Sequence, residues 1–199
     1  MKVLVAGATG NTGARLVNEL SERGHQLVAL VRKSSDTSAL PEAAEQRLAD
    51  LTELSDDVSV GCEIVVFAAG SGGDTSAEMT DKVDRDGAIA LIDNAGKHGV
   101  RRFVMLSSVG AENPDPDSDL AHYLQAKHDA DEHLKASGLE FAILRPVSLT
   151  DDGPTGSVIL GGDVDPKGKA ARGDVAVVLA DAVEQDEWSG AIKLMQTDY

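Results

Sequence analysis

The sequence predicts an α/β fold: a doubly wound parallel sheet with helices on both faces and a small C-terminal cap. Three observations predict it. Short apolar runs of β-branched character alternate with segments of helical spacing from the first residues to about residue 146. The run Glu63–Gly70 is almost continuously apolar, as a parallel strand covered on both faces must be. The opening stretch, Lys2–Gly13, reads as a strand, a glycine turn and the start of a helix.

The glycine turn is the sharpest of the three. In Gly7-Ala8-Thr9-Gly10-Asn11-Thr12-Gly13 the glycines recur every third residue, ahead of a helix with Leu16, Val17 and Leu20 on one face. Gly7 suits a tight turn, Gly10 lets the backbone approach a ligand without a Cβ in the way, and Gly13 lets the helix lie close on the strand. The free N–H groups and positive dipole end of that helix then face whatever lies over the turn, which favours a pyrophosphate. Gly7, Thr9, Gly10, Asn11, Thr12 and Gly13 are therefore candidate dinucleotide-binding residues; the alternative is a tight connection with no ligand.

At 199 residues the chain suits one domain, residues 1–199, in which 147–199 supply the cap and last strands. No apolar run approaches membrane-spanning length, and the chain opens on a strand with no room for a signal peptide, so a soluble, cytoplasmic protein is expected. The net charge of −16, from 18 Lys+Arg against 34 Asp+Glu, repels nucleic acid and anionic membranes and argues against both as partners. The same acid excess, with few aromatics and lysines, suits a surface adapted to high salt, ordinary solvated acidic faces being the other reading. A single cysteine, Cys62, rules out an internal disulfide framework and a cysteine zinc site.

Gln26–Arg32 reads as the second strand, after a helix stop at Gly24. The end of this strand meets the adenosine ribose of a dinucleotide: a carboxylate there accepts from two hydroxyls and selects NAD, whereas a cation pairs with the 2′-phosphate of NADP. Arg32 and Lys33 stand at that end and the nearest acid, Asp36, lies past the turn, so NADP is expected over NAD. Residues 37–44 form a short helix or loop, and 46–50 a brief third strand. Asp50 caps a short helix after it or, with Leu51, borders the adenine. Ala68, Ala69 and Gly70, running on to Gly73, leave space at the carboxyl edge of the central strand, where ligands of open α/β sheets bind.

A long helix is predicted over 80–99, with Val83, Gly87, Ala90, Leu91 and Ala95 inward. Arg102–Ser108 is the fifth strand, 110–118 an acidic, proline-bearing loop at the edge of a site, 119–137 a helix and Glu140–Pro146 the sixth strand. In the cap, 157–161 and 191–196 read as short strands, and 174–183 as a helix with Asp174 at its positive end.

Tyr123 and Lys127 lie four residues apart on the predicted helix and so on one face. A phenol of ordinary pKa ~10 is a poor acid–base group near neutrality, but an adjacent ammonium stabilises the phenolate. Lys127 would also hold a nicotinamide ribose, and Ser108, at the end of the preceding strand, would orient a substrate carbonyl. Ser107 is the alternative, on the opposite side of the sheet. His122 and His128 flank the pair as surface or rim residues, and no cluster resembles a metal site.

The glycine turn, Arg32, Asp50-Leu51, Ser107-Ser108-Val109-Gly110, Tyr123-x-x-x-Lys127, Arg145-Pro146 and Asp174-Val175-Ala176 together resemble the short-chain dehydrogenase/reductase superfamily. More closely they are similar to its atypical, compact branch of NAD(P)H-binding proteins related to the epimerase/dehydratase group. The resemblance spans nearly the whole chain. It implies a Rossmann fold with strand order 3-2-1-4-5-6-7, bound NAD(P) with Pro146 and Val147 beside it, and Ser108, Tyr123 and Lys127 at the superfamily's catalytic positions. The short cap departs from the nucleotide-sugar members. Tyr123 and Lys127 favour an oxidoreductase of a small carbonyl or alcohol; an epimerase or dehydratase, or a non-catalytic sensor of the NADPH/NADP ratio, are the other readings. Monomer and homodimer both stay open.

Overall fold

The structure, a computed structural model, describes residues 1–72 and 76–199. Gly73, last of the small residues after the central strand, lies outside the described residues. The chain opens with β1 (Lys2–Ala6), α1 (Asn11–Glu22), β2 (Gln26–Val31), β3 (Glu45–Leu48) and β4 (Ile64–Phe67). A helix that begins at α2 (Ala77–Thr80) passes through a π-helical stretch, Asp81–Gly87, into α3 (Ala88–Lys97). Then come β5 (Arg102–Leu106), α4 (Ala121–Ala136) and β6 (Glu140–Pro146). The remainder supplies β7 (Ser148–Thr150), β8 (Val158–Leu160), β9 (Lys169–Ala171), α5 (Arg172–Glu184) and β10 (Ala191–Thr197).

Among the described residues the main sheet runs β3-β2-β1-β4-β5-β6-β10-β8. Every neighbouring pair is parallel except β8, which lies antiparallel on β10. This is the Rossmann-type doubly wound sheet expected from the sequence, with one antiparallel strand at its far edge. Side chains alternate between two apolar layers: Val3, Val5, Val104 and Leu106 pack with α1 and α5, while Leu4, Ala6, Phe103 and Met105 pack with α3 and α4. Burial of each such Val, Leu or Phe contributes about 1.5–3 kcal/mol, so closure of both faces is what holds the strand ends in register.

Several elements depart from expectation. The 80–99 helix is not uniformly α-helical: Asp84, Gly87, Ala88, Leu91 and Ala95 are buried, whereas Ala90 is exposed and Val83 only half-buried. A π turn holds more residues than an α turn, so the 3.6-residue spacing that put Val83 and Ala90 inward breaks there. No helix follows Asp50. Its Oδ1 accepts from the Thr52 amide (2.9 Å) and hydroxyl (2.8 Å), closing a turn. Residues 37–44 likewise form turns.

After β6, β7 and β9 pair as a small parallel sheet that the sequence does not announce, since Lys169-Ala170-Ala171 has little strand propensity. Asp174 does sit in the first turn of α5, but its carboxylate is engaged elsewhere. It accepts from the Thr155 amide (2.7 Å) and hydroxyl (2.9 Å), the Gly156 amide (3.1 Å) and the Thr197 hydroxyl (2.8 Å), tying the turn before β8 to β10. Among the described residues no helix is long and apolar enough to cross a membrane.

Candidate cofactor and active site

The sheet order reverses between β1 and β4, and such a reversal leaves a crevice at the carboxyl ends of the strands. A cleft of about 290 Å³ lies there. Gly7, Thr9 and Gly10 form its floor with Ala68, Ala69, Gly70 and Ser71; Leu30, Arg32 and Ser35 close the β2 side, Ala49, Asp50 and Leu51 the β3 side, and Met79 and Val83 the helix side. It opens into a groove of about 530 Å³ that adds Lys82 and Asp86.

The three glycines of the turn do different things. Gly7 has φ +81°, and a Cβ on it would stand 2.6 Å from the Ala69 Cα. A Cβ on Gly13 would stand 2.0 Å from the Gly7 carbonyl oxygen. Gly10, at φ −76°, meets only that same oxygen, at 3.3 Å. Gly7 and Gly13 therefore let strand and helix meet, while Gly10 presents bare backbone to the cleft at the N-terminus of α1, a cradle that fits a pyrophosphate. Asn11 is exposed on the first turn, and Thr12 and Gly13 are buried beneath it. Arg32 is exposed at the rim: its amide donates to Ser35 Oγ (3.0 Å), and its guanidinium makes no hydrogen bond or ion pair among the described residues. Lys33 is exposed and does not line the cleft.

The groups expected at the nicotinamide end lie outside the lining of that cleft. Tyr123 and Ser108 are half-buried, and Ser108 Oγ donates to the Val109 carbonyl at 3.3 Å. Lys127 is 3% exposed, with Nζ 3.0 Å from Asp84 Oδ1, 3.5 Å from the Ala69 carbonyl and 5.7 Å from the centre of the Tyr123 ring. Ser107 is buried and donates to Asp131 Oδ2 (2.7 Å), so it belongs to the interior. Pro146 closes β6, and the Val147 side chain is packed in the apolar core while its amide donates to the Met195 carbonyl at 3.0 Å. None of Ser108, Tyr123, Lys127, Pro146 or Val147 lines the 290 Å³ cleft. His128 is half-buried with Nδ1 2.8 Å from the Ala111 carbonyl, and exposed His122 lies 3.1 Å from Asp81 Oδ1.

Residues 7–186 match the model of a family described as NAD(P)H-binding. The chain belongs to this family. It is 38% identical over its whole length, and 95% of the relative's, to a Bacillus subtilis protein named uncharacterized sugar epimerase YhfK. It is 34% identical, over 94% of its length and 74% of the relative's, to the uncharacterized chloroplastic protein At2g34460 of Arabidopsis thaliana. Among solved structures it is similar to a Bacillus halodurans protein described as a candidate NAD-dependent epimerase/dehydratase, with 38% identity, a TM-score of 0.92 and coverage of 100% of this chain and 94% of that one. The Lactococcus lactis oxidoreductase ylbE gives 27% identity and a TM-score of 0.88 over 100% and 91%.

In this NAD(P)H-binding chain the residues that sequence reasoning missed are the buried partners of those it found. Asp84 comes from the π-helical stretch; Asp131 lies one turn beyond Lys127 on α4 and holds Arg145 Nη2 (3.0 Å) and Nε (3.1 Å) as well as Ser107. Burial pulls the Lys127 ammonium down, but Tyr123, Asp84 and Asp131 outweigh it and leave its pKa above the ordinary lysine range. Burial pushes the Asp131 carboxyl up, against the Ser107 hydroxyl and Arg145. The Thr52 amide and hydroxyl, with some help from Arg32, hold Asp50 below the usual carboxylate range. A readable signal existed: Tyr123, Lys127 and Asp131 recur every four residues, one polar stripe on a helix whose inner face is otherwise Leu and Ala.

Proposed function

We propose that this protein is an NADP-dependent oxidoreductase of a small carbonyl or alcohol, with residues 147–199 as the cap over its substrate. The observation that carries the reading is the single face of α4 on which the Lys127 ammonium lies 5.7 Å from the Tyr123 ring, at the carboxyl ends of the strands that also form the dinucleotide cleft. Tyr123 gives or takes the proton at the substrate oxygen with the Lys127 ammonium beside its ring, and Ser108 turns its hydroxyl from the Val109 carbonyl to the substrate. The nicotinamide, when bound, supplies or accepts the hydride. Gly7, Thr9 and Gly10 carry its pyrophosphate, Asp50 and Leu51 border the adenine, and Arg32, whose guanidinium makes no hydrogen bond or ion pair among the described residues, receives the 2′-phosphate.

A second reading, an epimerase or dehydratase in which the cofactor is reduced and reoxidised within one turnover, is supported by the descriptions of the Bacillus relatives. Tyr123→Phe tests both against a non-catalytic sensor. It abolishes turnover on an identified substrate and leaves NADPH binding intact; full activity in the variant refutes the catalytic assignment. Stoichiometric NADPH consumption in the wild type then marks the oxidoreductase, and turnover without net consumption the epimerase.

A further inference from the structure

We propose that Asp84 and Lys127 are positioning residues for the nucleotide half of the cofactor, holding the Ala69–Ser71 wall of the cleft so that Lys127 acts on the dinucleotide through that wall. The proposal rests on the cofactor reading of the cleft. Asp84 is fully buried; its Oδ2 accepts from the Ser71 amide at 2.9 Å and its Oδ1 lies 3.0 Å from Lys127 Nζ. Lys127 in turn reaches the Ala69 carbonyl at 3.5 Å. A Cβ on Gly70 would come within 3.3 Å of the Asp84 carboxylate, so the carboxylate also packs beneath that glycine. The pair thus meets Ala69, Gly70 and Ser71 in turn, and all three line the cleft.

The π-helical stretch is what makes this possible. Successive residues of an α-helix are rotated by about 100°, so a helix with Val83 inward would carry position 84 away from the strand end. The wider turn brings Asp84 in. Gly87, three residues further along the same stretch, packs on the opposite wall, where a Cβ would stand 2.9 Å from the Leu51 carbonyl. A single segment therefore braces both sides of the nucleotide cleft. Lys127, at 3% exposure, offers little surface for direct contact with a ribose.

ADP separates the two ways in which Lys127 could act, because it carries the adenosine and pyrophosphate but no nicotinamide ribose. Asp84→Leu, Lys127→Met and the double variant are titrated calorimetrically with ADP and with NADPH, on protein whose circular dichroism matches the wild type. Each variant is expected to lose about tenfold in affinity for both ligands, with the double no worse than the weaker single, because the two residues act as one device. Losses confined to NADPH would return Lys127 to the ribose and overturn the proposal. A merely structural pair would lower Tm and leave both affinities unmoved, which overturns it too. Asp84→Leu strands a buried ammonium and Lys127→Met a buried carboxylate, so both single variants are exposed to misfolding; the double leaves neither charge of the pair stranded and decides the question by itself. A wild type that bound neither ligand would end the cofactor reading and this proposal together, whereas a binding wild type with unmoved variants would end only this one.

Discussion

Gly10 and Gly13 look alike in the sequence, and the structure gives them opposite consequences. In Gly13→Ala the new Cβ stands 2.0 Å from the Gly7 carbonyl oxygen, more than an ångström inside van der Waals contact with main chain that cannot move without β1 or α1 moving too. Overpacking of that size costs about 3 kcal/mol or more, which for a chain of this length lowers Tm by roughly 6–12 °C. In Gly10→Ala the nearest atom is 3.3 Å away and φ is −76°, which alanine adopts freely. The cost there is that of a poorer N-cap, about 0.5–1 kcal/mol. The order inverts for the cofactor. Gly10→Ala sets a methyl group over the phosphate cradle and weakens NADPH about tenfold or more, roughly 1.4 kcal/mol, in a protein that still folds. Urea unfolding and NADPH titration of both variants read the two effects separately. A Gly13→Ala protein with a wild-type midpoint, or a Gly10→Ala protein with wild-type affinity, would refute the division of labour.

Three further outcomes follow from the same geometry. Arg32→Ala should weaken NADPH about tenfold or more and NADH by no more than about twofold, since only the 2′-phosphate loses a charge-assisted bond; equal losses in a titration would sink the NADP assignment. Asp174 is pushed up by burial, but the Thr197, Gly156 and Thr155 hydrogen bonds prevail and hold it below its ordinary 3.8; its contribution to stability is therefore present above about pH 3.8 and lost as pH falls through the lower folded value. Asp174→Asn should cost about 1.5–3 kcal/mol at pH 7 and flatten the acid limb of a stability–pH curve, and an unchanged acid limb would contradict the role given to that carboxylate. With a net charge of −16, the urea midpoint should rise as potassium chloride is raised toward molar concentration; greatest stability in dilute buffer would end the high-salt reading of the surface.

The cleft beside the glycine turn was legible because it depends on short-range signals. Gly7, Gly10 and Gly13 lie within one strand-to-helix turn, Arg32 closes an apolar run, and Ala68–Gly70 end another, so periodicity and residue size are enough to place them at one edge of the sheet. β6 was read with its observed bounds, Glu140–Pro146, for the same reason. The rest was less legible because it depends on phase. One π turn moves Asp84 from the solvent side of a helix to its core side, and nothing in Asp81-Lys82-Val83-Asp84-Arg85-Asp86-Gly87 departs from an ordinary polar α-helical surface. Lys127 read as a site cation because Tyr123 lies one turn away; its partner is 43 positions distant and was visible only after folding. β9 escaped because register with β7, and not its own composition, makes it a strand.

The buried pairs also insulate the site from its medium. At molar salt the Debye length shrinks to about 3 Å, and pairs such as Lys97–Asp56 or Lys82–Glu78, whose side chains are at least half exposed, lose most of their attraction. Asp84–Lys127 and Asp131–Arg145 lie where no mobile ion reaches them. Ionic strength can therefore rewrite the outer electrostatics of this protein while the walls of its nucleotide cleft stay under the same forces in brine as in dilute solution.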